Sequence, residues 1–268
     1  MTIHPTAIID PSARLGRDVS VGPFAIVEAQ VEIGDGCVIG PRASLLAYTT
    51  LGAGCRIHTG AVIGDLPQDM AFANEPSYVR MGANCTIREY VTIHRGTKPG
   101  SETTLGDGCF LMGGAHLAHN VKLGNGVILA NSVLLAGYVE VGDRAFISGS
   151  VVVHQFVRIG RLAMIGGGSG VSKDVPPFCL VPGVTANRVA CLNLVGLKRA
   201  GLTTEQRQQV KEAFRLLYRQ GLTATDAVAR MREAFPEGSP AREMAEFTAT
   251  SKRGICRFTM AGDEAESA

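Results

Sequence analysis

The sequence predicts a mainly β protein in which residues 1–186 form a parallel β-helix of hexapeptide repeats and residues 187–268 form a small α-helical domain. In steps of six from Ile3 to Val171, 26 of the 29 positions carry an aliphatic side chain. Glycine is abundant, at 33 residues, whereas aromatic residues make up 6% and Trp is absent, which excludes a broad aromatic core. After Asn187 the six-residue period stops and helix-capping signals replace it.

The period of six predicts stacked coils. Three hexapeptides make one triangular coil of about 18 residues, so residues 1–186 predict about ten coils around a continuous aliphatic core. The three positions that break the period are Asp69, Glu75 and Pro99. They lie in polar stretches, and we therefore expect two loops extruded from the coils, near residues 65–78 and 95–104.

Two further positions of the repeat are constrained. Glycine often follows the aliphatic residue, as at Gly34 and Gly52, and we expect it to supply unusual backbone angles at tight corners. The position two before the aliphatic residue is small, and four cysteines occupy it: Cys37, Cys55, Cys85 and Cys109. We interpret these thiols as packing residues and assign them no chemistry.

Helix-start signals recur three times after Asn187. They are Thr203 with Gln206, Thr223 with Asp226, and Ser239 with Pro240. Each precedes apolar residues at helical spacing, and Gly221 and Gly238 are suitable stops. Three helices are therefore expected, followed by a frayed end after Phe258.

Charge and cysteine content exclude several classes of protein. The 26 Lys and Arg nearly balance the 24 Asp and Glu, so a net charge of +2 does not predict a nucleic-acid partner. The sequence has neither a basic, apolar leader nor a long apolar run, which argues against export and membrane insertion. The seven cysteines are an odd number, and we predict free thiols in a cytoplasmic protein.

Residues 18 apart stack in one column of the coils, about 4.8 Å per coil. His119, Gly137 and Gln155 form such a column. A base, a bare backbone N–H for a developing oxyanion and a polar group for the acceptor are what acyl transfer requires. His94, His116 and His154 add polar groups where a purely structural repeat favours Gly, Asn or Ser.

Other interpretations of these residues stay open. Isolated histidines such as His4 and His58 are expected to cap exposed corners, and three histidines could instead bind zinc, as in a hydratase built on the same coil. Nucleophilic catalysis is disfavoured because no Ser lies in a nucleophile-elbow sequence. Gly166–Gly168 precedes no helix, which argues against a phosphate-binding loop. We interpret these glycines as a narrow place on the coil surface that leaves room for a long molecule beside the coil.

Four motifs carry a family resemblance, and they are Val91–Thr97, Gly114–His119, Val153–Phe156 and Gly196–Arg199. In this order they resemble the UDP-N-acetylglucosamine acyltransferases that catalyse the first step of lipid A biosynthesis. The resemblance implies a left-handed coil and a cytoplasmic homotrimer with active sites in the clefts between neighbouring coils. It also implies transfer of an R-3-hydroxyacyl chain from acyl carrier protein to the sugar 3-position, without metal or diffusible cofactor.

The resemblance assigns roles by motif. His119 would be the general base for direct attack, and the Gly137 N–H would be the oxyanion donor. The other expected contacts are Asp69 to the glucosamine, His94, His116, His154 and Gln155 along the sugar and acyl groove, and Asn193 and Arg199 to the nucleotide. Gly167 matches the position that sets acyl length, so a long chain is expected. Basic residues of the C-terminal part, including Lys198, could meet the acidic carrier protein.

Four positions depart from the family pattern: Asn120 replaces Asp, Ala71 replaces Lys, Tyr138 replaces His and Val195 replaces Glu. The loss of these family side chains around the sugar leaves open the possibility that the acceptor is a 3-amino sugar. Three alternatives also stay open, namely the N-acyltransferase of the same pathway, a coenzyme A-dependent acetyltransferase and a non-enzymatic trimeric scaffold.

Overall fold

The computed structural model describes residues 1–258, and the chain winds through three parallel sheets, here called faces A, B and C. Successive strands enter the three faces in turn, so each strand pairs with the one three strands later. Ile3 pairs with Val21, and Val21 pairs with Ile39. Within residues 1–258, face A has eleven strands, face B nine and face C eight, which corresponds to ten coils.

The strands are short because each side of the triangle holds one hexapeptide. Face A contains Thr2–Ile3, Ser20–Val21, Val38–Ile39, Arg56–Ile57, Thr86–Ile87, Phe110–Leu111, Ile128–Leu129, Phe146–Ile147, Met164–Ile165, Cys179–Val181 and the antiparallel Cys191–Leu192. Face B contains Ile8–Ile9, Ile26–Val27, Ser44–Leu45, Val62–Asp65, Thr92–His94, His116–Leu117, Leu134–Leu135, Val152–Val153 and Gly170–Val171. Face C contains Arg14–Leu15, Glu32–Ile33, Thr49–Leu51, Tyr78–Met81, Glu102–Leu105, Lys122–Leu123, Glu140–Val141 and Arg158–Ile159.

The aliphatic position of each hexapeptide points into the triangle. Ile39, Leu45 and Leu51 come from the three faces of one coil, and each is at most 2% exposed. The cysteines at the small position are buried with free thiols, and the Sγ of Cys37 donates to the carbonyl of Gly52. Stacking therefore buries one continuous column of aliphatic side chains, which is the main stabilising contact of a coil.

The expectation that the glycines after the aliphatic residues supply unusual backbone angles is wrong at eleven of twelve positions. At Gly34 a Cβ would lie 2.6 Å from the backbone nitrogen of Ala53 in the next coil, so glycine is required there by close approach of the backbones. Gly64 is the exception, with φ +93°. Left-handed angles occur two residues further on, as at Asn120 and Tyr138.

Two insertions leave the coil at the corner between faces B and C, here called corner BC. Residues 66–77 follow Val62–Asp65, and residues 95–101 follow Thr92–His94. Across the first insertion Ile63 pairs with Ile93, 30 residues away, and across the second Ile93 pairs with Leu117, 24 residues away. Both insertions add a multiple of six, which is why the period survives in the sequence.

The C-terminal part packs on the last coils. Its helices are α1 Leu194–Arg199, α2 Thr204–Tyr218, α3 Ala224–Ala234 and α4 Pro240–Ala249, and Arg188–Val189 pairs with Arg257–Phe258. Thr203, Thr223 and Ser239 cap α2, α3 and α4 as the sequence indicates, whereas α1 was not expected. The expected frayed end falls on residues 259–268, outside the described part of the chain. None of the helices in residues 1–258 is long and apolar enough to cross a bilayer.

Candidate active site

Corner BC collects most of the candidate residues. His119, Gly137 and Gln155 each lie two residues after the buried aliphatic residue of a face B strand. The amide of Tyr138 donates to the His119 carbonyl at 3.0 Å, and the amide of Phe156 donates to the Gly137 carbonyl at 3.1 Å. The three residues therefore occupy successive coils in one column.

The tautomer of His119 is fixed by Asn120. Its Nδ1 lies 3.2 Å from Asn120 Oδ1, and the backbone N–H and Oγ1 of Thr97 lie 3.1 Å from the same atom. Because a backbone N–H can only donate, that atom is the amide oxygen, which can only accept. In the neutral ring Nδ1 therefore carries the proton, and Nε2 keeps a lone pair available to act as a base.

The imidazole of His119 lies against the backbone of Gly137. A Cβ at position 137 would be 2.5 Å from His119 Nε2, so only glycine fits beneath the ring. The N–H of Gly137 makes no hydrogen bond within residues 1–258. A base and an unpaired backbone donor thus face the same small volume, the arrangement that stabilises an oxyanion beside a proton transfer.

The first insertion brings Asp69 to this base. Asp69 Oδ2 lies 3.9 Å from His119 Nε2, and Oδ1 accepts the amide of Ala71 at 3.0 Å. His119 is 7% exposed, whereas the Asp69 carboxylate is partly exposed. The carboxylate is therefore placed to bind a polar group that approaches the base from solvent.

Two more histidines lie next to each other on face B, near the start of the first insertion. The rings of His94 and His116 are 5.1 Å apart, His94 Nδ1 donates to the Leu66 carbonyl at 2.5 Å, and His116 Nδ1 lies 2.7 Å from Thr92 Oγ1. Burial, and secondarily the proximity of His94, lowers the pKa of His116 to about 4. His116 is therefore neutral at physiological pH and acts as a hydrogen-bonding group.

Corner BC also has an aromatic contribution that was not expected from the sequence. The ring of Tyr138 meets His119 edge-on at 5.2 Å and stacks on Phe156 at 5.0 Å, and its hydroxyl lies 3.0 Å from Thr97 Oγ1. Both aromatic residues have left-handed backbone angles, with φ of 59° and 65°. A bulky ring at a position that favours Gly or Asn was the available signal.

A cavity of about 860 Å³ lies beside Tyr138 and extends over face C. Its lining includes Asn120, Phe156 and the C-terminal residues Lys252 and Arg253. Buried Asp174 holds the C-terminal segment in place, because its carboxylate accepts the amide of Arg158 and the hydroxyl of Ser251. The cavity therefore begins beside Asn120 and Tyr138, the neighbours of the candidate base, and reaches the C-terminal segment.

Other candidate residues lie elsewhere on the chain. His154 is exposed at corner BC, with Nδ1 3.0 Å from the Gln155 carbonyl. The Asn193 amide accepts from Gly196 N and donates to Leu162 O, so its side chain caps α1. Arg199 is exposed near Arg144, at the corner between faces C and A. Within a single chain, Asn193 and Arg199 therefore lie apart from His119.

Gly167 lies at the third corner, between faces A and B. A Cβ there would be 3.2 Å from the Gly149 carbonyl oxygen and 3.5 Å from Ser148 Oγ, so a side chain fits only if it points away from the coil. Within residues 1–258, no three side chains of His, Cys, Asp or Glu are grouped so that they could hold a metal ion. The histidines at corner BC do not form a three-ligand set in this chain.

Comparisons with known proteins cover nearly the whole chain. The family model described as Udp N-acetylglucosamine O-acyltransferase, Domain 2, matches residues 174–256. The model of bacterial transferase hexapeptide repeats matches residues 12–47, 30–65 and 102–137. The two models thus match the C-terminal part and the coils respectively.

Three full-length relatives agree. The chain is 57% identical to an acyl-[acyl-carrier-protein]–UDP-N-acetylglucosamine O-acyltransferase of a Sulfurihydrogenibium species, with 94% of this chain and 93% of the relative covered. It is 44% identical to the protein of that name from Halorhodospira halophila, over 95% of this chain and 99% of the relative. A crystal structure of a UDP-N-acetylglucosamine acyltransferase from Bacteroides fragilis superposes with a TM-score of 0.90, at 38% identity, over 96% of this chain and 100% of that chain.

Proposed function

Because the chain belongs to the family of acyl-[acyl-carrier-protein]–UDP-N-acetylglucosamine O-acyltransferases, we propose that it transfers an R-3-hydroxyacyl chain from acyl carrier protein to the 3-hydroxyl of UDP-N-acetylglucosamine. This reaction is the first step of lipid A biosynthesis, and the protein is an acyltransferase. The observation that carries the mechanism is the free Nε2 of His119 beside the unpaired N–H of Gly137.

The reaction is a direct attack. His119 Nε2 takes the proton of the sugar hydroxyl as the hydroxyl oxygen bonds to the carbonyl carbon of the thioester. The carbonyl oxygen becomes an oxyanion, which accepts a hydrogen bond from the Gly137 N–H. When the tetrahedral intermediate collapses, the C–S bond breaks and the imidazolium returns its proton to the departing carrier thiol. The hydrogen bond to the oxyanion strengthens as charge develops, so it stabilises the transition state more than the ground state.

Asp69 and Asn120 support the base in different ways. The Asp69 carboxylate, 3.9 Å from Nε2, binds a hydroxyl of the glucosamine and attracts the imidazolium that forms during the proton transfer. Asn120 is neutral, so it orients the ring through a hydrogen bond and contributes no charge. His94, His116, His154 and Gln155 line the sugar and acyl groove.

The acyl chain follows face B towards Gly167. Leu134 and Val152 point outward on this face, at 43% and 52% exposure, between the corner that holds His119 and the corner that holds Gly167. An apolar chain laid over them removes apolar surface from water. The absence of a side chain at Gly167 leaves the path open for a long acyl chain.

A homotrimer explains the outward faces of the coil. Face A presents apolar residues at Phe110, Ile128, Phe146 and Met164, and face B presents Leu134 and Val152. Face C instead carries a ladder of paired charges, such as Arg80 with Glu102 at 2.8 Å. These outward apolar side chains favour contact with second copies, which would bring Asn193 and Arg199 of one chain towards His119 of the next to hold the nucleotide.

The acyl carrier protein is the expected partner of exposed basic residues in the C-terminal part. Arg215 is paired with Glu212, and Arg219 lies over the rings of Phe214 and Phe258, so these two are engaged within the chain. Lys198 and Arg199 remain exposed at the end of α1.

All seven cysteines have free thiols, which is consistent with a cytoplasmic location.

The proposal is tested with the purified protein and R-3-hydroxyacyl carrier proteins of several lengths. Each donor is offered UDP-N-acetylglucosamine and, separately, its 3-amino analogue. Ester formation with the first sugar that disappears in His119→Ala supports the proposal. A folded trimer that acylates neither sugar, or that prefers a coenzyme A donor, would overturn it.

A further inference from the structure

Arg95 is largely buried, and its guanidinium has no counter-ion within residues 1–258. Arg95 is 7% exposed, and its Nε is buried without a hydrogen-bond partner. Within residues 1–258 its guanidinium forms neither an ion pair nor a hydrogen bond. A buried charge without such partners is costly, so other contacts must hold it.

Two aromatic rings supply those contacts. The guanidinium lies 5.2 Å from the ring centroid of Tyr48 and 5.4 Å from that of Phe72. Tyr48 belongs to the coil at corner BC, whereas Phe72 belongs to the inserted loop of residues 66–77. A desolvated cation between two rings is a favourable arrangement, so Arg95 joins this loop to the coil.

The tip of the loop, residues 68–75, has few other contacts that could hold its shape. Pro67 and Ser77 are buried at the two ends of the loop, whereas Met70 is exposed and Phe72 is the partly buried side chain of the tip nearest to Asp69. At its base, the Arg95 amide donates to the Asp65 carbonyl at 3.0 Å. The loop is therefore fixed where it leaves the coil and again where Phe72 meets Arg95.

A short set of contacts leads from Phe72 to the base. The Phe72 amide donates to the Asp69 carbonyl at 3.0 Å, and the Asp69 side chain accepts the Ala71 amide. The other carboxylate oxygen of Asp69 lies 3.9 Å from His119 Nε2. A shift of Phe72 would therefore move Asp69 relative to His119.

We propose that Arg95 is a positioning residue: it stacks between Tyr48 and Phe72, holds Asp69 opposite His119, and so sets the affinity for the acceptor sugar. This inference rests on the proposed acyltransferase function. Arg95 itself touches neither reacting group, so its effect passes through the loop. Lysine keeps the charge but lacks the planar group that stacks between two rings.

The kinetic test separates the two substrates. Arg95→Lys and Phe72→Leu are expected to raise the KM for UDP-N-acetylglucosamine about tenfold or more and to leave the KM for the acyl carrier protein within about twofold. Phe72→Tyr keeps a ring at this position and should therefore retain the wild-type KM for UDP-N-acetylglucosamine. Arg80→Lys is the matched control, because Arg80 also lies over a ring, that of Tyr78, but is exposed and paired with Glu102.

A second test does not depend on activity. The sequence contains no Trp, so Phe72→Trp creates a single fluorophore at the proposed contact. In that background, with Trp emission excited selectively over the five tyrosines, Arg95→Met should raise acrylamide quenching of the Trp at least twofold, whereas Arg80→Met should not. If the wild-type chain acylates neither sugar, the function fails while quenching still decides the contact. Unchanged quenching, or an equal rise of both KM values with a lower Tm, would overturn the role of Arg95.

Discussion

The imidazole of His119 covers Gly137, whose backbone N–H makes no hydrogen bond within residues 1–258. The two residues come from successive coils and are 18 apart in sequence. Their contact places a base and an oxyanion donor on one side of the coil without any side chain between them. The absence of a Cβ at position 137 is therefore as much a part of the site as the imidazole.

Gly137→Ala is expected to lower kcat by about 10²–10³-fold, because the new methyl group displaces the imidazole and crowds the oxyanion donor. Thermal unfolding should show a folded protein, since the backbone of Gly137 is not left-handed. In the His119→Ala background the same change should cost much less than in the wild type, because the colliding ring is gone and only the crowding of the oxyanion donor remains. Two losses that simply add would contradict this relationship.

His119→Ala removes the base and is expected to lower kcat by about 10²–10⁴-fold. Circular dichroism should show the wild-type fold, because the ring lies at corner BC, outside the aliphatic core of the coil. An unaffected rate in the folded variant would refute the assignment of the base.

Asn120→Asp is expected to move the acid limb of the kcat/KM profile to higher pH by about one unit, because a carboxylate attracts the imidazolium and an amide does not. Asn84→Asp is the matched control, since Asn84 has the same left-handed backbone, with φ 56°, but is exposed at the corner between faces C and A. Equal profiles for Asn120→Asp and the wild type would mean that Asn120 does not contact the base in solution.

Gly167→Met is expected to shorten the preferred acyl chain. A methionine here must point away from Gly149 and Ser148, into the path over face B. We expect the kcat/KM of the longest donor to fall about tenfold or more, while a donor several carbons shorter is retained. Rates measured across a series of acyl carrier proteins decide this, and a uniform loss for every length would place the acyl chain elsewhere.

Acid should destabilise the protein through His116. Its pKa is lowered to about 4 in the folded chain from 6.5, so the unfolded chain binds the proton more readily as pH falls from 6.5 to 4. The free energy of unfolding should drop over this window by about 1–2 kcal/mol, after allowance for the partly exposed ring.

The measurement is urea unfolding at fixed protein concentration, at pH 7 and at pH 4.5, because subunit association would otherwise shift the midpoint. His116→Asn should flatten the difference between the two pH values. His4→Asn, at an exposed position in the first coil, should leave it unchanged. A wild-type difference that survives in His116→Asn would assign the pH dependence to other groups.

The coil and its column of site residues could be predicted because they depend on contacts at a fixed offset. Ile3 and Val21, and likewise His119 and Gly137, meet through one turn of about 18 residues, so a period in the sequence is a period in space. The caps at Thr203, Thr223 and Ser239 were equally readable, since each capping side chain accepts from a backbone N–H only three residues further along the chain.

The glycines show where the sequence was misread. Their spacing was visible, but the reason for them was the distance between backbones in adjacent coils, which no single hexapeptide contains. Asn193 is similar, because its amide is held by Gly196 and by Leu162, and the second contact crosses from the C-terminal part to the coil. The sequence motif alone could not reveal that the side chain was already engaged.

The amino-acid sequence by itself determined the stacked coils, the positions of the two insertions, three of the four helices and the column that holds the base. Only the tertiary structure decided the contacts of Asp69 with His119 and of Arg95 with Phe72, and the tautomer that Asn120 imposes. The repeat fixes distances between residues of successive coils. An inserted loop has no such period, so its contacts depend on which side chains pack against it once the coil has formed.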